Sequence, residues 1–201
     1  GSKWFKQLYH SAVATNGPEV AQIQDAARAY DINVVIGINE KEYKRVGTLY
    51  NTSLIIDHQG ELIGKHRKLV PTWAEKLTWT GGDGSSLKVY DTNIGPLGTL
   101  ACGENTNTLA RYTLMAQGEL IHVANYISLP VAPTDYNMAE AIKIRAAAHC
   151  FEGKLFTVVS CSTISEEIIR LFEKEVPQAR EIFSRKNSAF SGILDVNGQV
   201  I

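Results

Sequence analysis

The chain has 201 residues, 44% apolar and 20% charged, the composition of a soluble globular fold that buries a sizeable core as a single domain over residues 1–201. Twenty basic residues are balanced by 21 acidic ones, which leaves no long-range field to draw the chain to nucleic acid or an anionic membrane; a small or neutral substrate is the expected partner. No apolar run approaches a membrane span and no secretory leader opens the sequence, so a cytoplasmic protein is expected, with Cys102, Cys150 and Cys161, which lack any C-x-x-C pairing, as unbridged thiols.

An amphipathic stretch, KWFKQLYHSAV, comes first. GPEVAQIQDAARAYD then places Val20, Ile23, Ala27 and Tyr30 at helical spacing, with Pro18 where a first turn accepts it. INVVIGI, apolar almost throughout, predicts a strand covered on both faces. TLYNTSLIID and ELIGKHRKL, about the turn HQG, predict an antiparallel hairpin. Past a Gly- and Ser-rich loop at 81–86, LKVYD and PLGTLAC read as strands joined at TNIG. TNTLARYTLMAQG predicts a helix with Leu109, Tyr112, Thr113 and Ala116 on one face, ended by Gly118. There follow the strand LIHVAN, a loop with Pro130 and Pro133, the helix NMAEAIKIRAAAHCFEG, the buried strand LFTVVSC, a polar helix over about 165–184, and a hairpin turning at Asn197 and Gly198. Interleaved helices and strands without an internal repeat predict a layered α/β architecture. The sequence stops at Ile201, barely past that last turn, so either a neighbouring chain completes the sheet or the sequence is part of a longer protein.

Two stretches carry candidate chemistry. A strand ending at Ala101 or Cys102, then Gly103 and a helix from near Thr106, puts the Cys102 sulfur where backbone N–H groups and a helix dipole favour an anion and can bind an oxyanion. Gly103 lets a substrate approach the backbone. Position alone leaves two readings open, a nucleophile or a small buried hydrophobe. Glu104 and Asn105 follow so closely that they are expected to cap the helix and hold the elbow. The second stretch is GKHRKLVPTWAEKLTW: alternation points Lys65 and Arg67 one way and His66 and Lys68 the other, and the run is either a solvated strand end or has one pair facing inward.

These stretches resemble the nitrilase branch of the carbon-nitrogen hydrolases. TLYNTSLIIDHQGELIGKHRKLVPT, GDGSSLKVYDTNIGPLGTLACGENTN and RAAAHCFEG occur in the family's order over nearly all of the chain, with Cys102 lying 34 residues after Lys68. The resemblance implies a four-layer α-β-β-α sandwich, incomplete in the span given, and a Glu-Lys-Cys triad in which Cys102 is the nucleophile and Lys68 its cationic partner. By the same matching, Glu75 is the auxiliary glutamate and Trp79 an aromatic residue lining the substrate pocket; the physical needs of the mechanism make the Gly103 amide an oxyanion donor. CGEN in place of the commoner CWEN leaves more room beside the nucleophile. A charged, partly buried Lys68 needs a nearby carboxylate, and Glu75 is the local candidate.

The triad glutamate finds no match. GPEV imitates its motif, but Glu19 falls in a helix's first turn, where acidic residues are common for dipole reasons, and is read as a decoy. No other acidic residue precedes Pro18. The chain therefore resembles the central part of a nitrilase, with N-terminal and C-terminal parts missing, and is expected to turn over little by itself. Three functions stay in view: hydrolysis of an organic nitrile to acid and ammonia, an amidase-like or nitrile-hydrating variant, and a non-catalytic fragment or interaction subunit. No metal or organic cofactor is called for, and a homo-oligomer, a dimer or a spiral, is implied by the resemblance.

Other polar residues read as structural. Adjacent His149 and Cys150 point about 100° apart on a helix and make a poor catalytic pair. Cys161 ends a strand but lacks the following Gly and helix start. Arg145, Glu140 and Glu152 are expected in ion pairs or caps, and His10, His58, His66 and His122 have no metal-ligand spacing.

Overall fold

A computed structural model describes residues 2–128 and 136–201, which leaves the Pro130–Pro133 loop outside the described residues. The strands form a three-stranded sheet, order β1-β2-β3, and a four-stranded sheet, order β4-β5-β6-β7, and helices alternate with them along the chain, the mixed α/β class expected. The chain divides into two compact units, Gly1–Val123 and Ala124–Ile201.

The first unit opens with helices α1 (Ser2–Ser11) and α2 (Pro18–Tyr30). On α2, Val20 and Ala27 are buried as their spacing predicts, but Tyr30, in the last turn, is 76% exposed. Strands β1 (Val34–Lys41), β2 (Leu49–Ile56) and β3 (Leu62–Arg67) are antiparallel, with Val34 opposite Ile56 and Ser53 opposite His66. β2 is central and buries Leu54, Ile55 and Ile56; β1 is an edge strand and only partly covered, against the expectation from its apolar run. The β2–β3 turn is as predicted. Asp57 Oδ1 accepts the N–H groups of Gln59 and Glu61, and Gly60 takes φ 79° where a Cβ would collide with the Gln24 carbonyl of α2.

Residues 87–91 do not extend as a strand; one bridge, Tyr90 to Leu97, is all that pairs them with β4 (Leu97–Ala101). Helix α3 (Thr108–Met115) also differs. Its buried face is Ala110, Arg111 and Leu114, while Leu109 and Tyr112 are exposed, because β4 offers Leu100 as the packing partner and Leu69, Leu87 and Val89 close the cluster. Gly118, at φ 83°, follows it as expected. Strand β5 (Ile121–Tyr126) carries the boundary between the two units.

In the second unit, α4 (Met138–Gly153) buries Ile142, Ala146, His149 and Cys150, one helical face. Strand β6 (Phe156–Cys161) buries alternate residues, Thr157 and Val159, and is therefore not the fully covered strand its apolar run suggests; it pairs antiparallel with β7 (Gly192–Leu194). The polar helix expected over about 165–184 is two helices, α5 (Glu166–Glu173) and α6 (Ala179–Phe183), because Pro177 cannot continue the first. The last hairpin turns at Gly198, φ 78°, with Asp195 Oδ1 accepting from Asn197 and Gln199. Among the described residues no helix is long and apolar enough to cross a membrane.

Candidate active site

Cys102 follows β4 directly and opens a 3-10 turn, Cys102–Thr106. Its backbone is left-handed, φ 54°, a conformation that costs a residue with a Cβ about 1–2 kcal/mol. Such strain survives only where the surroundings over-determine it. The helix expected from near Thr106 starts instead at Thr108 and is capped by Asn107, whose Oδ1 accepts from Leu109 and Ala110. Glu104 and Asn105 do not cap it. Both turn inward and are buried.

The Glu104 carboxylate joins two distant segments. Oε2 accepts from the Ala101 N–H at 3.0 Å and from His66 Nε2 at 2.7 Å, and Oε1 accepts from the Leu69 N–H at 2.8 Å. Burial alone would push its pKa up, but the His66 bond and charge and the two backbone N–H groups outweigh burial and hold it below the usual carboxylate range. Asn105 pins the other side of the elbow: its Nδ2 donates to the carbonyls of Leu100 and Cys102, at 3.1 and 3.0 Å. Its Oδ1 meets His122 Nε2 at 2.8 Å, and His122 Nδ1 meets Glu119 Oε1 at 2.7 Å. A buried carboxylate–histidine pair thus stands behind each side of Cys102.

The basic run resolves by alternation. His66 and Lys68 face inward, each 2% exposed, and the solvated reading fails for them. Lys68 Nζ donates to Glu75 Oε2 at 2.6 Å, and Glu75 Oε2 also accepts the Thr72 N–H. The Lys68 backbone is fixed as well, its N–H to Asn51 O and its carbonyl from Gly82 N, both at 2.8 Å. A buried ammonium without such a partner would carry a cost of several kcal/mol. Lys65 and Arg67 face outward onto Glu40, which sequence reasoning passed over because NEK reads as an ordinary polar strand end.

The segments of Cys102, Gly103, Lys68 and Glu75 therefore meet: Leu69 and Ala101 share Glu104, and a Cβ on Gly103 would lie 3.6 Å from Thr72 Oγ1, next to Glu75. Trp79 is half-buried and linked to the same loop by its N–H to Glu75 O, while its indole Nε1 donates to Asn39 Oδ1 at 2.9 Å. Glu19 is not brought to the site; it lies exposed in the first turn of α2. None of the three cysteines is in a disulfide. Cys150 is buried, its thiol donates to Thr157 Oγ1 at 3.1 Å, and burial pushes its pKa up, which suits the structural reading. Arg145 donates to the Tyr136 hydroxyl.

Comparison with known proteins places this arrangement. The carbon-nitrogen hydrolase family profile matches residues 3–175. A nitrilase of Paraburkholderia phymatum is 39% identical over 160 residues, 80% of this chain and 45% of its own length. An aliphatic nitrilase of Rhodococcus rhodochrous is 32% identical over 204 residues, 99% of this chain and 54% of its own. The chain spans about half the length of the curated relatives it matches. The crystal structure of a carbon-nitrogen hydrolase from Helicobacter pylori superposes with a TM-score of 0.74 at 17% identity, covering 100% of this chain and 66% of that one, a likeness of fold. A profile match over most of its length, on a chain with this elbow and this buried lysine, means that the chain belongs to the carbon-nitrogen hydrolase family.

Proposed function

We propose that the protein containing this chain hydrolyses an organic nitrile to a carboxylic acid and ammonia, with Cys102 as nucleophile. One observation carries the reading: a single buried carboxylate ties the residue before Cys102 to the residue after Lys68, so a thiol on a left-handed backbone and a buried lysine sit on adjoining segments. The nitrilases among the relatives support the choice of substrate class.

The chemistry follows from what each group supplies. The Cys102 thiolate adds to the nitrile carbon; the C–N triple bond gives up one electron pair to nitrogen, which takes a proton, and a thioimidate forms. Lys68 and the Gly103 N–H stabilise the charge developing on nitrogen. Water adds to the thioimidate, the tetrahedral adduct expels ammonia, and a thioester remains. A second water releases the acid and restores the thiol. Expulsion of the thiolate from the tetrahedral adduct would give the amide instead. Glu75 pairs with Lys68, Trp79 lines the pocket, and the proton shuttle is the triad glutamate, which has no match in this chain. A cytoplasmic homo-oligomer completes the proposal.

Ammonia release from aliphatic and aromatic nitriles tests it. Cys102→Ala is expected to lower the rate by at least about 10³-fold; an undiminished rate would overturn the assignment. Amide without ammonia would move the protein to the nitrile-hydrating reading. Equal activity of the 201-residue chain and a version extended at both ends would overturn the placement of the shuttle.

A further inference from the structure

We infer that His66 and Glu104 are a positioning pair, which fixes the Cys102 elbow against the Lys68 segment and thereby sets the turnover rate. The inference rests on the proposed nitrile chemistry.

Glu104 is the acidic residue nearest the nucleophile in sequence and the obvious substitute for the missing proton shuttle. Its surroundings exclude that role. Its two oxygens accept three hydrogen bonds, from His66 Nε2, Ala101 N and Leu69 N, and its side chain is 3% exposed. Three of its roughly four acceptor sites are taken by the protein, and the side chain is closed to solvent. All three partners are donors, so only an ionised carboxylate satisfies them; an amide at this position would set its NH2 against a backbone or imidazole N–H.

His66 is as constrained as its partner. Its Nδ1 lies 3.0 Å from Ser86 Oγ and 3.3 Å from Ser86 O, and Ser86 Oγ is 3.2 Å from the Asp83 carbonyl, which takes the hydroxyl proton. Both ring nitrogens are therefore engaged, Nδ1 by Ser86 and Nε2 by Glu104. The result is a buried, hydrogen-bonded pair. It reaches from the Gly84–Ser86 turn, where Asp83 Oδ1 holds Ser85, to the peptide on either side of the site. Leu69 packs on the Leu100, Ala110 and Leu114 cluster, so apolar packing holds the two segments together while the pair sets their register. A misplacement near 1 Å between reacting groups costs about 10²-fold in rate.

The test uses the full-length enzyme with Glu104→Gln, His66→Gln, the double variant and Ser86→Ala, following kcat, KM and thermal unfolding. Each of the first two is expected to lower kcat about 10²-fold with KM within about twofold. The double variant should lose about as much as the worse single one, because both substitutions release one network. Should Glu104→Gln fail to fold, Ser86→Ala carries the test, with a fall in kcat of about three- to tenfold at unchanged KM. Losses that multiply, or folded variants whose kcat stays within about threefold of the parent while only the melting temperature moves, would overturn the inference. Cys102→Ala serves as the control. If it is inactive while Glu104→Gln retains kcat, only the positioning role falls; if it stays active, the nucleophile assignment falls first.

Discussion

Lys65 and Lys68 are three residues apart, carry the same charge, and meet opposite surroundings. The Lys65 side chain is 38% exposed and shares the Glu40 carboxylate with Arg67. The Lys68 side chain is 1% exposed and has Glu75, itself 19% exposed. Strand alternation chooses the face, and the partner decides what the cation can do. On the outer face, Glu40 is saturated: it accepts from Lys65 Nζ, Arg67 and Thr52 Oγ1. Burial would raise its pKa, but the bonds from Arg67, Lys65 and Thr52 bring it down to about 2, and the same contact raises Arg67 above its usual range. That cluster holds the ends of β1, β2 and β3 together. On the inner face, Lys68 is one ammonium on one carboxylate, held by its backbone beside the elbow, which is what stabilising a transient negative charge requires.

Substitutions can break this contrast. Lys68→Met should have the largest effect on turnover, a fall in kcat of about 10²–10³-fold in a nitrile assay, because it removes the charge that the proposed mechanism sets against the reaction. Glu40→Gln should act on stability instead. The folded-state pKa of Glu40 lies below its unfolded value, so its contribution is present above pH about 4.5 and is lost as pH falls through about 2. Denaturant unfolding at pH 7 should show a loss of about 3 kcal/mol in the variant. Its stability should also vary less than the parent's between those two pH values. Lys65→Met should do least, under about 1 kcal/mol by the same unfolding measurement and little to kcat, since Arg67 stays on Glu40 and the lost ammonium was partly solvated. A larger kcat loss for Lys65→Met than for Lys68→Met would reverse the assignment of the two faces.

How much of this was legible in the sequence depended on the range of the signal. The hairpin at Asp57–Gly60, the turn at Gly198 and the turn at Gly118 that follows α3 rest on local backbone demands, and the residues announce them. The face of α3 does not: Leu109 and Tyr112 match Ala110 and Leu114 in apolar character, and only the tertiary partner Leu100 separates them. The Lys68–Glu75 contact, seven residues apart, was predictable from the need to pair a buried cation. Glu104 was expected to cap the helix and hold the elbow; it holds the elbow through Ala101, but its partners His66 and Leu69 lie more than 30 residues away and no spacing rule connects them. Glu40 had no signal, since a carboxylate near a strand end is unremarkable until the fold brings two cations to it. The divided polar helix was a misreading, as Pro177 was there to be seen.

The central claim, that Cys102 is the nucleophile, is tested most directly by quenching the full-length enzyme in acid during nitrile turnover and resolving its cysteine peptides by mass. The account predicts a substrate-derived imidate or acyl adduct on the peptide containing Cys102, absent from those of Cys150 and Cys161. Turnover with the Cys102 peptide unmodified and an adduct on Cys161 would contradict it.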